Sequence, residues 1–285
     1  MDREEERQLE DNPQALAAYF CDLRTRESRR FMSFPRASQL YKDCMRQLVL
    51  GVKLKKEVRV KLGFSQRMIF MLGNAVHSWV QNTDDLFGNH RRGWWVCSAC
   101  GKYMSWGAPP REGWKCKNCG AGYGAARYEE HSLYLRKPLM VSGHPDMFVD
   151  FNGKIRLVEL KTINGKDFEK LFLPQIDHVW QALTYLWTLK HDKIIPVNID
   201  RSKAYICYIT KRSTMGQFPL KMFHINYDED VVRVILKKLL IFKKGIQKGG
   251  KLPALHDDCA RKSRGYRAEE CPVRFECFQE HRKNA

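Results

Sequence analysis

Asp146, Glu159 and Lys161 lie within one short stretch, MVSGHPDMFVDFNGKIRLVELKT (140–162), and are the residue types that hold a cation and orient a water. Between them, Asn152-Gly153 is a strong two-residue hairpin signal, because a type I′ turn needs positive φ at both central positions. With those two as the loop, Asp146 falls directly opposite Glu159 on the ladder. Lys161 stands two residues further on and projects from the same face. Apposed carboxylates repel, and burying them is costly unless a charge neutralises them. A divalent cation with a preference for hard oxygen ligands, Mg²⁺ or Mn²⁺, does so. The amine beside it can then position a water or stabilise charge on a phosphate. The competing reading is an exposed Asp–Lys–Glu cluster. Phe148, Val149, Leu157, Val158 and Leu160 weigh against it, since they make both strands apolar on both faces.

A second chemistry is carried by the 10 cysteines. Cys97-x2-Cys100 and Cys116-x2-Cys119 are two knuckles separated by 15 residues. Each can turn two thiolates toward one point, and four thiolates satisfy a tetrahedral Zn²⁺; a rubredoxin-like iron fits the same ligands. Gly101 and Gly120 each follow a knuckle's second cysteine, where a tight turn calls for permissive φ. The others are Cys21, Cys44, Cys207, Cys259, Cys271 and Cys277. In a reducing compartment so many thiols are seldom disulfides. Cys21 and Cys207 stand in apolar contexts and read as buried thiols.

The elements that must position these groups are legible in outline. Residues 13–30 read as an amphipathic helix with a basic end, and a second helix begins after Ser38 and carries Cys44. A third, from Ser65 to Gln81, is apolar on most faces and reads as buried. Residues 92–124 have little periodicity and suit a metal-held insert. Strands are expected over 128–162 and 203–210, and helices over 174–190 and 229–247. A short, polar, cysteine-bearing tail follows from 252. The chain has 285 residues, 50 Lys plus Arg against 32 Asp plus Glu, and 44% hydrophobic residues. That excludes a disordered or collagen-like chain. The net charge of +18 points to a polyanionic partner, most commonly nucleic acid. No stretch approaches the ~18 apolar residues of a membrane span. The acidic opening MDREEERQLEDN is unlike a secretory or transit peptide, so a cytoplasmic protein is expected, in a bacterial or phage-infected cell.

The order GHPD…VELK, with Asp146, Glu159 and Lys161, resembles the PD-(D/E)XK nuclease superfamily. Two further matches point to its RecB-like exonuclease branch, which includes the CRISPR-associated RecB-like exonucleases and many phage enzymes. GNAVHSWVQ places His77 on a helix upstream, and HVWQALTYLW places His178, Gln181 and Tyr185 on one helical face downstream. Singly, His77 suits a core and the Gln–Tyr stripe suits packing. The resemblance implies that His77, Asp146 and Glu159 bind the metal with the main-chain carbonyl of Leu160. It further implies that Lys161 orients the water, and that Gln181 and Tyr185 hold the DNA strand. Cys44 in FPRASQLYKDCMRQLVL, with Cys259, Cys271 and Cys277 after the core, is similar to the family's [4Fe–4S] arrangement. A second zinc is the alternative there. The 11 residues between Cys259 and Cys271 exceed the family's usual spacing.

The expected architecture is therefore an α/β, restriction-endonuclease-like core, a central mixed sheet flanked by helices. It carries an inserted zinc ribbon and an iron–sulfur staple joining the two ends. Its parts are residues 1–92 with Cys44 and His77, the ribbon 93–124, the nuclease core 125–228, and the basic helix and cluster segment 229–285. The expected function is metal-dependent DNA hydrolysis, exonucleolytic and on single strands, in recombination, repair or replication, with or without a helicase or recombinase partner. Two alternatives stay open: an endonuclease or strand-processing subunit that needs a partner, and a zinc-ribbon nucleic-acid-binding protein with an inactive core. Trp94, Trp95, Trp106, Trp114 and Tyr103 either stack on unpaired bases or pack the small ribbon. Lys237, Lys238, Lys243, Lys244 and Lys248 either contact phosphates or form a solvated helix face. Two four-thiolate centres would trim the net charge to about +14.

Overall fold

A computed structural model of the chain describes residues 26–31, 34–42, 44–135, 137, 139–195, 197–212, 219–261 and 265–283. In chain order its main strands are β1 (Arg26–Phe31), β2 (Glu57–Leu62), β3 (Arg91–Arg92), β4 (Trp94–Cys97), β5 (Ala126–Glu129), β6 (Leu133–Leu135), β7 (Val141–Gly143), β8 (Met147–Phe151), β9 (Lys154–Ile163), β10 (Ile199–Thr210) and β11 (Leu220–Asn226). The helices are α1 (Met45–Lys53), α2 (Phe64–Asn82), α3 (Gly165–Glu169), α4 (Ile176–Leu189), α5 (Glu229–Ile246), α6 (Asp257–Arg261), α7 (Tyr266–Glu269) and α8 (Arg274–Lys283).

The hairpin turn sets the centre of the fold. Asn152 and Gly153 take φ of 53° and 79°, as a type I′ turn demands. The Gly153 amide donates to Asp150 Oδ1 at 2.7 Å and closes the turn. β8 and β9 then pair from Phe151↔Lys154 to Met147↔Val158, so the next step of the register brings Asp146 to Glu159. β10 joins β9 in parallel, with Ile206 beside Glu159. The five-stranded mixed sheet runs β11-β10-β9-β8-β3. A parallel pair needs a long crossover, and residues 164–198, with α3 and α4, supply it.

Alternation along the hairpin sends side chains to two cores. Phe148 and Leu157 join Leu183 and Leu186 of α4, Ile235 and Leu239 of α5, and Val49 of α1. Met147, Val149, Val158 and Leu160 face the other way, against Val80 of α2, Trp95 and Tyr128. The sheet is thus covered on both faces, which is why its strands are nearly all apolar. At the start of α5, Asp228 caps the helix by accepting from the Asp230 and Val231 amides. Glu229 and Asp230 in the first turn and Lys243 and Lys244 in the last complement its dipole.

Several expectations are corrected. Arg26–Phe31 is a strand paired with Glu57–Leu62, not the end of a helix. The period-two alternation of Val58, Val60 and Leu62 offers a ladder, and cross-strand pairing outweighs the helical leaning of RESRRF. The rest of that expected helix, residues 13–25 with Cys21, lies outside the described residues. α2 is not a buried helix: Ile69, Phe70, Met71 and Leu72 are each more than half exposed. Its second half, through Val76 and Val80, packs on the sheet. Cys44 caps α1 instead of lying inside it. Lys238 donates to the carbonyls of Leu40 and Tyr41, so it is spent on packing. No helix among the described residues is long and apolar enough to cross a membrane.

Candidate active site

Three of the residues expected at the acid centre meet around β9. Asp146 Oδ2 accepts from the Leu160 amide at 2.7 Å, which holds the loop before β8 against β9. Glu159, 2% exposed, takes Lys161 Nζ at 2.5 Å and Gln181 Nε2 at 2.6 Å on the same oxygen, Oε1. Its other oxygen, Oε2, is buried and no donor reaches it. Burial first, and the Asp146 charge second, push the Glu159 carboxyl up to about 8. Burial pulls the other way on Lys161, but the two carboxylates outweigh it and hold the ammonium above its ordinary value. A buried carboxyl with one oxygen free of donors can accept a further ligand there.

α4 presents Gln181 and Tyr185 one turn apart. Gln181 Nε2 also donates to the Tyr185 hydroxyl at 3.0 Å, which donates in turn to the His144 carbonyl at 3.1 Å. His178 instead bonds the Tyr208 hydroxyl at 2.7 Å, and burial, with Lys161 nearby, lowers it to about 4.

His77 approaches from α2: its Nδ1 lies 3.2 Å from Asp146 Oδ1. A further acid, absent from the sequence expectations, stands with them. Atoms of His77, Glu130 and Asp146 all lie within 4.8 Å of one another, close enough to share one cation; Glu159 is outside that group. Gln81 orders this corner, donating from Nε2 to Glu130 Oε1 at 3.0 Å and to the Asp146 carbonyl at 2.8 Å. Burial raises the Glu130 carboxyl, against the Gln81 bond that lowers it. Nothing in ARYEEH announces Glu130 as a ligand, because the fold alone brings that segment to α2.

The knuckle cysteines converge as their spacing suggests. Cys97 Sγ lies 3.6 Å from Cys119 Sγ and Cys100 Sγ 3.8 Å from Cys116 Sγ. Four sulfurs about 2.3 Å from a tetrahedral zinc would be about 3.8 Å apart. Gly101 and Gly120 take φ of 68° and 75°, and their amides return to the Cys97 and Cys116 carbonyls. Backbone amides favour thiolates at two positions: the Lys102 amide helps lower Cys100 to about 6, and those of Asn118 and Cys119 lower Cys116. At Cys119 the Ala121 amide acts the same way, but neighbouring thiols and desolvation outweigh it and raise it to about 12. The four thiols can hold a metal. Of the ribbon aromatics, Trp95 is buried in the core beneath and is no platform, whereas Tyr103 is 65% exposed.

Cys44, at the start of α1, lies near Cys259, Cys271 and Cys277 of the C-terminal segment. Burial raises Cys259, and the Cys44 and Cys277 thiols add to it; Cys271 rises chiefly by burial, with Cys277, Cys44 and Cys259 contributing. No three of these thiols lie mutually within 4.8 Å, unlike the ribbon set. Arg46 Nε donates to Cys277 Sγ at 3.2 Å and its Nη2 to the Cys277 carbonyl. Cys207 is fully buried and raised to about 12 by desolvation.

No protein-family model and no curated protein matches this chain. Among solved structures it is similar to that of SSO0001, at 16% identity over 84% of this chain and 82% of that one, with a TM-score of 0.39. It is also similar to an alkaline exonuclease (LHK-Exo) from Laribacter hongkongensis, at 12% identity over 76% and 89%, TM-score 0.42. For the same exonuclease in complex with dAMP the values are 11%, 75%, 88% and 0.45. At such values no chemistry transfers from those proteins to this one.

Proposed function

We propose that the chain is a metal-dependent DNA nuclease that trims single strands from an end. The observation that carries this reading is the donor-free Glu159 Oε2 beside Asp146 and Lys161 in a buried sheet. A module that only bound nucleic acid would gain nothing from it, since setting two acids side by side in a buried sheet costs stability. In this reading Asp146, Glu159, His77 and the Leu160 carbonyl would hold the Mg²⁺ or Mn²⁺, one ion or more, which would polarise the phosphate and lower the pKa of a water. Lys161, already held at Glu159, orients that water toward the phosphate. Gln181 keeps Glu159 aimed, and Tyr185 braces Gln181 where the strand would pass. The formal charge of +18 suits a phosphate backbone.

In the same reading the ribbon thiols hold a structural Zn²⁺, and Cys44, Cys259, Cys271 and Cys277 hold a [4Fe–4S] cluster that ties the chain's two ends together. These four thiols act on one another electrostatically, which suits a shared centre. The work is cytoplasmic, in recombination or repair, alone or beside a helicase or recombinase. The division at residues 92, 124 and 228 follows these centres.

The test uses oxygen-free protein with end-labelled linear and circular single-stranded DNA, in Mg²⁺ or Mn²⁺. Wild type should degrade the linear strand only. Lys161→Ala should lower the rate at least ~10³-fold while leaving DNA binding and both thiol centres intact. Cleavage of circles would make it an endonuclease. Undiminished cleavage by Lys161→Ala would overturn the mechanism, and binding without cleavage by metal-loaded wild type would leave a binding protein.

A further inference from the structure

We infer that the ribbon and the end of α2 form a binding cleft for one unpaired nucleotide of a DNA strand. This rests on the nuclease reading and adds to it a place, outside the acid centre, where the strand is held. The cleft has a volume of about 590 Å³, within the ~300–1,000 Å³ range of small-molecule sites. Its floor belongs to the core. Arg91, 1% exposed, donates to the Gly88 and Gln81 carbonyls and to Asp84, and its guanidinium lies over the Trp95 ring. Asn82 donates to the Ser78 carbonyl and accepts from the Tyr128 amide. These groups have spent their hydrogen bonds on the protein, so the floor is set before any ligand arrives.

The rim is unspent. It comes from two ribbon loops that the knuckles hold: Pro109, Pro110 and Arg111 stand between Cys100 and Cys116, and Tyr123 and Arg127 follow Cys119. The Trp114 amide closes a turn onto the Arg111 carbonyl at 3.0 Å, with Gly113 at φ 85°, and this sets Arg111 at the cleft's edge. Arg111 is exposed, and among the described residues nothing holds its guanidinium. Arg127 commits Nη1 to the Gly124 and Ala126 carbonyls and keeps Nε and Nη2 open. Of the acids there, Asp84 is paired with Arg91, while Glu112 has no cation partner among the described residues. Two open guanidiniums against one open carboxylate leave the cleft positive. The Tyr123 ring, 51% exposed, offers a face on which a base can stack, and the guanidinium forks suit the phosphate attached to it. A base still paired in a duplex cannot enter such a cleft, whereas an unpaired one can. α2 ties the cleft to the acid centre. Gln81 donates to the Asp146 carbonyl, and the next residue, Asn82, stands in the cleft wall. Since Arg91 donates to the Gln81 carbonyl, floor and acid corner are one bonded unit, and a nucleotide held in the cleft keeps its strand in register with that corner.

The experiment measures binding of a labelled single strand to the full-length protein by fluorescence anisotropy, without added divalent cation and with bound zinc measured in parallel. Tyr123→Ala should weaken binding about tenfold, and Tyr123→Phe should restore it because the ring stays. Arg111→Ala should weaken it severalfold and lower the slope of log affinity against log salt by about 0.7. Both side chains are exposed, so each variant should keep the wild-type zinc content. On a blunt duplex Tyr123→Ala should bind as wild type does. With metal added, Tyr123→Ala should raise KM for single strands and leave kcat near the wild-type value. Unchanged single-strand affinity in both Tyr123→Ala and Arg111→Ala would overturn the inference. So would a Tyr123→Phe as weak as Tyr123→Ala, an equal loss on duplex, or a wild type that binds no single strand. Binding that depends on Tyr123 and Arg111 without any cleavage by wild type would overturn the nuclease reading alone. Cleavage by wild type, with affinity indifferent to both residues, would overturn the cleft alone.

Discussion

In the ribbon, the thiols pair at 3.6 and 3.8 Å across two tight turns, with backbone amides aimed at them. In the acid site, carboxylates are set into a two-sided sheet where burial and mutual repulsion push Glu159 up to about 8. The first arrangement has every ligand donated by one short stretch of chain and closes on itself. The second draws on β9, α2, α4 and the loop before β8, and it leaves Glu159 Oε2 without a donor. Under the proposed function, the difference separates a centre that would be filled once and kept from one that would exchange water, substrate and proton. A closed thiolate shell satisfies its ion, while an open oxygen shell leaves positions for a reacting group.

The comparison breaks most visibly at the ribbon. Cys97→Ser removes one of the four thiols that together close a stretch in which 22 positions separate Cys97 from Cys119. A cross-link of that span is worth about 3 kcal/mol by the loop-entropy argument. Because Trp95 and Tyr128 carry the ribbon's root into the second core, the loss should reach the sheet as well. Chemical unfolding should show a drop of that order, and chelation of the wild type should reproduce it. A fall confined to the ribbon's own hydrogen exchange, with the global transition unmoved, would mean that the two regions are energetically separate.

Glu159→Gln sharpens the other side, and with opposite sign. The folded-state carboxyl titrates at about 8, above its ordinary 4.5. Below pH 4.5 both folded and unfolded forms are protonated and nothing is lost. From there to about 8 the folded form keeps its proton while the unfolded form gives it up, so stability falls as pH rises, by at most about 1.4 kcal/mol per pH unit. In buffer without added divalent cation, the glutamine variant should lack this slope and exceed wild type in stability at pH 8. Urea midpoints at pH 5, 6.5 and 8 give the difference directly. Saturating Mn²⁺ should abolish the wild type's disadvantage, since the cation takes the place of the proton.

How far the sequence announced these centres follows from how local their causes are. The β8–β9 register was legible because Asn152-Gly153 dictates it within two residues, and the knuckle turns were legible for the same reason at Gly101 and Gly120. α2 misled because its composition reads as core, yet nothing among the described residues covers Ile69 to Leu72 enough to bury them; hydrophobic content does not say which partner exists. The place of Glu130 beside His77 and Asp146 was invisible, as it depends on β5 folding back to α2 across Gln81, a contact spanning 49 positions. The edge strand β3 is two arginines long and has no pattern to read; Arg91 is buried there because its guanidinium reaches the Gln81 carbonyl at 2.6 Å and Asp84.

The smallest expected effect lies at Tyr185, and it tests how much of the acid site is a preset frame. The ring fills the space over Gly143, where even a Cβ would meet it, while the hydroxyl donates to the His144 carbonyl and accepts from Gln181. Tyr185→Phe keeps the ring and removes the two hydrogen bonds, which should cost about 1 kcal/mol of stability. Gln181 would still donate to Glu159 Oε1, so the carboxylate should stay aimed and cleavage should fall less than about tenfold, far short of the Lys161→Ala loss. A cleavage loss rivalling Lys161→Ala, at unchanged stability, would instead mean that the hydroxyl touches the strand itself. The acid site would then be completed by its substrate, and the contrast with the self-contained ribbon would be sharper still.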